Sequence, residues 1–71
     1  MERYLNKDGN SGVRYYEIES ERIIVRFSDG SQYSYSYRKA GQRHVEQMKL
    51  LARSGSGLNS YIMRNVRFSY D

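Results

Sequence analysis

The side chains with chemistry to offer in this 71-residue chain are its cations and its tyrosines. Twelve residues are Lys or Arg, nine of them Arg, whose planar fork suits bidentate contact with phosphate or carboxylate. They are unevenly placed. Residues 1–37 hold five Lys/Arg and six acids, a net of −1, whereas residues 38–71 hold seven and two, a net of +5. Those seven are Arg38, Lys39, Arg43, Lys49, Arg53, Arg64 and Arg67, and such groups neutralise phosphates without reading sequence. Tyr33, Tyr35 and Tyr37 alternate with Ser34 and Ser36, so a strand here puts three rings on one face. Turned outward, that face would stack bases; turned inward, it is a core wall. The pI near 9.6 fits a nucleic-acid partner, and it equally fits a solvated helix surface or an acidic protein partner.

Other chemistries have little to build on. There is one histidine, His44, and no cysteine, so no thiolate or paired-histidine metal site is expected and no disulfide. A lone helical histidine is ordinarily a surface or boundary residue. Glu17, Glu19 and Glu21 alternate along one exposed edge, which makes no cleft for acid–base work. Asp8-Gly9-Asn10 lacks the downstream ligands of a calcium loop. We therefore expect no enzyme, no cofactor and no metal.

The elements that must position these residues are legible from periodicity. Residues 1–12 contain a cluster of turn formers, Asn6 to Gly12, and read as a flexible leader with Tyr4 or Leu5 tucked onto the core. Residues 13–71 form a single domain. VRYYEIE makes a first strand with Tyr16 and Ile18 inward and Arg14 beside them, or shifted by one if Val13 is inward. IIVRF and SQYSYSY flank Asp29-Gly30, a hairpin signal. A two-residue loop would put the tyrosines on the face of Arg22 and Arg26. A three-residue loop, Ser28 to Gly30, would put them with Ile23, Val25 and Phe27. The second is favoured: it makes one face apolar, gives Gly30 the left-handed position, and creates β-branched–aromatic pairs worth about 0.2–1 kcal/mol each.

From Arg38 the period becomes helical. Val45, Met48, Leu51 and Ala52 form an apolar stripe, opposed by Gln42, Glu46, Lys49 and Arg53, with Leu50 at the edge. Gly55 ends this helix, and Ser56 is placed to cap a second in which Leu58, Tyr61, Ile62, Asn65 and Val66 recur at helical spacing. Phe68 and Tyr70 are expected to dock on the core. The fold class is thus α+β: a three-stranded antiparallel meander followed by two helices packed on one face. No apolar run approaches membrane-spanning length.

The strand YSYSY, the preceding FSDG and the later LARSGSGLNSYI resemble a KTSC domain. That family is named for the C-terminal extension of some bacterial lysyl-tRNA synthetases and also occurs as small stand-alone bacterial proteins. The positions matching its pattern are Ile23, Val25, Phe27, Gly30, Tyr33, Tyr35, Ala52, Gly55, Leu58, Asn59 and Ile62, within residues 11–66. Two positions depart from it. Ala40-Gly41 replaces a valine-proline, and Met63 intervenes before the basic Arg64. The resemblance implies that Gly30, Tyr33, Tyr35, Gly55, Asn59 and Ile62 define the fold, with Asn59 a hydrogen-bonder at the inter-helix turn. Through the synthetase it also implies RNA.

The expectation is a small non-catalytic cytoplasmic module that binds tRNA-like RNA through its basic helical face. The alternative is a module that binds another protein or itself and has no nucleic-acid role. Neither reading involves a membrane.

Overall fold

The Asp29-Gly30 turn sets the register of the sheet. A computed structural model describes residues 1–71 as four antiparallel strands in sequence order: β1 (Glu2–Arg3), β2 (Val13–Glu19), β3 (Arg22–Phe27) and β4 (Gln32–Ser36). Two helices follow, α1 (Gln42–Ser54) and α2 (Leu58–Tyr61), the second continuing as a π-helical turn, Ile62–Val66. Ile23 pairs with Tyr35 and Val25 with Tyr33, which is the register of a three-residue loop. The Phe27 N–H donates to the Ser31 carbonyl at 2.8 Å, and Gly30 takes φ 91°, a region that L side chains resist. Asp29 Oδ1 accepts the Ser31 N–H at 2.9 Å and its hydroxyl at 2.6 Å, and these bonds hold its carboxyl below the usual range.

That register turns the apolar side of the hairpin toward the helices. Ile23, Val25 and Tyr35 are buried with Val45, Met48 and Ala52 of α1 and with Leu58, Ile62 and Val66. The outer face carries Arg26, whose guanidinium donates twice to Gln32 Oε1, at 3.1 and 2.9 Å. The apolar stripe expected on α1 is the buried one, with Leu51 half-buried and Leu50 exposed.

Four strands stand where three were expected. Glu2 and Arg3 pair with Tyr16 and Tyr15, so part of the expected leader belongs to the sheet. The cause is Tyr4: its ring is buried, its N–H donates to the Arg14 carbonyl at 2.8 Å, and its hydroxyl accepts the Leu58 N–H at 3.2 Å. A two-residue strand has no alternation to reveal it; one buried aromatic ring supplies the anchor. β2 also differs from both assignments weighed for it. Val13 pairs with Phe27 but Tyr15 with Arg26, so Arg14 is the extra residue of a β-bulge. The bulge lets both Val13 and Tyr16 face inward and turns Arg14 out to solvent.

The second helix starts without Ser56 as its cap. Gly57, at φ 85°, occupies that position, and the Ser56 hydroxyl donates to Asp8 Oδ2 at 2.9 Å. Asn59 is half-buried in the first turn of α2, but the hydrogen bonds of this corner are made by Ser54, Gly55 and Tyr4.

Burial pushes the Tyr35 phenol up to about 12, with the Tyr33 and Tyr70 phenols adding to the shift. The folded chain therefore holds this proton more tightly than the unfolded chain, whose tyrosines titrate near pH 10. The resulting stability is complete below about pH 10 and is lost as pH rises through about 12. Urea midpoints measured stepwise across that window should fall, and Tyr35→Phe should flatten the decline. A midpoint as steep in Tyr35→Phe as in the parent would assign the effect to other groups.

Candidate binding groove and basic surface

β4 lies at the edge of the sheet, and the three tyrosines in and just after it meet three different fates. Tyr35 is 2% exposed and belongs to the core. Tyr37 is half-buried, and its hydroxyl donates to Glu46 Oε2 at 2.5 Å, which raises its phenol pKa. Tyr33 lies beyond the helical cover and is 36% exposed. The inward-facing wall thus runs past the layer that covers it, and its last ring lines an open groove.

That groove has a volume of about 430 Å³ and is walled by Phe27, Tyr33, Tyr70, Phe68, Met63 and Arg67, with the 28–31 turn at its end. Tyr33 and Tyr70 pack with centroids 4.7 Å apart, and Phe27 meets Tyr33 edge-on at 6.0 Å. Phe68 is 78% exposed, and the Arg67 guanidinium lies 5.3 Å from its ring. The chain end is tied to β4: the Asp71 N–H donates to the Ser34 carbonyl at 2.8 Å. The Asp71 carboxylate accepts from the Ser34 and Ser36 hydroxyls at 3.1 and 2.7 Å. Tyr70 accordingly docks on Tyr33 at the sheet margin, and Phe68 does not dock on the core at all. Their place in the chain gives no sign of this, because it depends on where the tail reverses.

The seven cations singled out from the sequence do not form one patch. Arg38 and Lys39 are exposed on the turn after β4, Arg43 and Arg53 are exposed on α1, and Arg64 and Arg67 are exposed in and after the π turn. Arg53 lines a second depression with Met1, Glu2, Tyr16, Glu17 and Ile18, which shares no residue with the aromatic groove that holds Arg67.

Lys49 must be removed from the phosphate-contacting set. Its side chain is only 7% exposed; Nζ donates to the Ser20 carbonyl at 3.0 Å, pairs with Glu46 Oε2 at 2.8 Å, and lies 5.5 Å from the Tyr37 ring centre. It joins α1 to the β2–β3 turn. Lys49 stands four residues after Val45 and three before Ala52, so spacing alone places it on the buried stripe; its charge diverted the expectation. Glu46, between Lys49 and Tyr37, is held below the usual carboxylate range, first by Lys49 and then by Tyr37.

His44 is half-buried where α1 meets α2, with Nδ1 2.7 Å from the Tyr61 hydroxyl. Glu19 pairs with Arg22 at 2.6 Å. No three His, Asp or Glu side chains converge as metal ligands, and no helix is long and apolar enough to cross a membrane. What this surface offers is ring faces and guanidinium groups open to solvent. No family model matches the chain, and no curated protein or solved structure shows significant similarity to it.

Proposed function

We propose that this protein is a small non-catalytic binding module whose partner is RNA. The observation that carries the reading is the state of the cations. Only two ion pairs exist, Arg22–Glu19 and Lys49–Glu46. Arg38, Lys39, Arg43, Arg53, Arg64 and Arg67 are all exposed and none has an acidic partner. The two acids of that half are engaged elsewhere, Glu46 by Lys49 and Tyr37, and Asp71 by the β4 serines. Unpaired surface cations in this excess favour a polyanion. The KTSC resemblance, with its synthetase kinship, supports a structured RNA such as tRNA.

Binding of labelled tRNA should weaken roughly 40- to 500-fold between 50 and 200 mM salt if about three to five phosphates are contacted. Absence of binding even at low salt removes the RNA reading.

A second reading, association with a protein or with another copy, is favoured by one feature: Leu50, Met63 and Phe68 are exposed at 59%, 44% and 78%. Sedimentation across a concentration range separates the two. A dimer insensitive to salt supports self-association, and a strict monomer removes it.

A further inference from the structure

We infer that the aromatic groove beside β4 is a stacking site for unpaired bases of that RNA, such as those of a loop or a single-stranded end, with Arg67 contacting the adjoining phosphate. This inference rests on the RNA reading above and gives it a location.

Four observations carry it. First, the groove is an aromatic surface that remains open although the chain has a core in which to bury rings. Phe68 is 78% exposed, Tyr70 38% and Tyr33 36%, and all three line one concavity of about 430 Å³. Base stacking needs ring faces of this kind. Second, the π turn helps to shape the site. Ile62–Val66 contains Met63 and is followed by Arg67, both of which line the groove. Widening a helix by one residue rotates the downstream side chains by about 100°, and such turns recur at functional sites.

Third, an exposed guanidinium borders the rings. Asp29 is the acidic side chain of the groove, and its carboxylate is engaged by the Ser31 N–H and hydroxyl, although these hydrogen bonds leave its negative charge in place. The nearby Asp71 carboxylate is engaged by Ser34 and Ser36. Arg67 is exposed and has no acidic partner. Fourth, the β4 edge is poorly suited to an extended peptide. The Ser34 carbonyl is taken by the Asp71 N–H, and the Ser36 carbonyl by the N–H groups of Lys39 and Ala40. A peptide strand would have to expel the tail to build its ladder, whereas a base has only to cover the rings. Unpaired bases fit better than a duplex, whose bases are stacked on one another and shielded.

The test compares a fluorescein-labelled oligouridylate with an RNA duplex of equal length, at low salt. The proteins are the parent, Phe68→Ala, Phe68→Tyr and Arg53→Ala. Phe68→Ala should lose about tenfold in affinity for the single strand while keeping its duplex affinity and its salt slope. Phe68→Tyr should retain single-strand binding. Arg53→Ala, in the other depression, should weaken both RNAs alike. Because Phe68 is mostly exposed, its variants should melt with the parent. If the parent binds RNA and Phe68→Ala binds both forms equally well, the groove assignment falls and the RNA reading survives. Binding to neither RNA defeats both. A concentration-dependent dimer dissociated by Phe68→Ala overturns the inference in favour of a second copy as occupant.

Discussion

Tyr35→Ala should lower the unfolding free energy by about 3–5 kcal/mol, the range found for removing a large aromatic side chain from a core. The ring is 2% exposed and pairs across the sheet with Ile23, itself fully buried. It is also packed in the cluster formed with α1 and the second helix. A domain of this size has roughly 4–10 kcal/mol of stability in total, and it buries only about 60% of its unfolded surface. Tyr35→Ala therefore removes a large fraction of what holds the chain folded, with visible unfolding at ambient temperature. Two comparisons make the result interpretable. Tyr35→Phe keeps the ring volume and should shift the urea midpoint little at neutral pH. Tyr33→Ala removes the same side chain type two residues along, but from a ring that is 36% exposed, so its cost should be clearly smaller. Urea unfolding followed by circular dichroism measures all three. Equal losses for the two alanine variants would mean that Tyr33 and Tyr35 share one environment, contrary to their difference in burial.

The same strand shows how far sequence reasoning reaches. Alternation of Tyr33, Tyr35 and Tyr37 against Ser34 and Ser36, with Asp29-Gly30 ahead of them, is sufficient to favour the register because a one-residue slip would expose every apolar side chain at once. The α1 stripe is legible for the same reason: Val45, Met48 and Ala52 have only one buried solution. What alternation cannot register is an interruption of itself. The bulge at Arg14 breaks the period between Val13 and Tyr16, so a strict two-residue count puts one or the other inward when both are buried. Nor does local pattern reveal contacts made over long separations. Tyr4 reaches Leu58, Lys49 reaches Ser20, and Asp71 reaches Ser34 and Ser36. Those long-range contacts decide that β1 exists, that Lys49 is buried, and that the tail closes on β4. The candidate groove depends on the last of them. Its arginine is legible as one of seven cations, but its aromatic wall is not.

Gly55→Ala should be the most damaging single methyl group added to the chain, at about 2–5 kcal/mol. Two penalties combine there. The residue sits at φ 79°, where its N–H closes the end of α1 on the carbonyls of Leu51 and Ala52, at 3.0 and 3.3 Å. An L residue in that conformation costs about 1–2 kcal/mol. A Cβ on Gly55 would also lie 2.6 Å from Leu5 Cβ. Leu5 is 65% exposed, yet rotating its side chain gives no relief, because the collision is with the atom nearest its backbone. The segment between Tyr4 and Lys7 must move instead, and overpacking of this kind adds about 1–3 kcal/mol. That segment is tied down on both sides of Leu5, by the buried Tyr4 ring and by the Lys7 N–H donating to the Gly55 carbonyl at 2.8 Å. Gly30→Ala is the matched comparison. Its φ is 91° but nothing lies within 4 Å of its Cβ position, so it carries the backbone penalty alone. Gly55→Ala should therefore destabilise the chain more than Gly30→Ala, and amide exchange should accelerate at Tyr4 and Lys7 in the first variant only. Equal losses for the two glycines, with exchange unchanged at Tyr4 and Lys7, would mean that β1 does not lean on the α1 C-terminus as the contact with Leu5 requires.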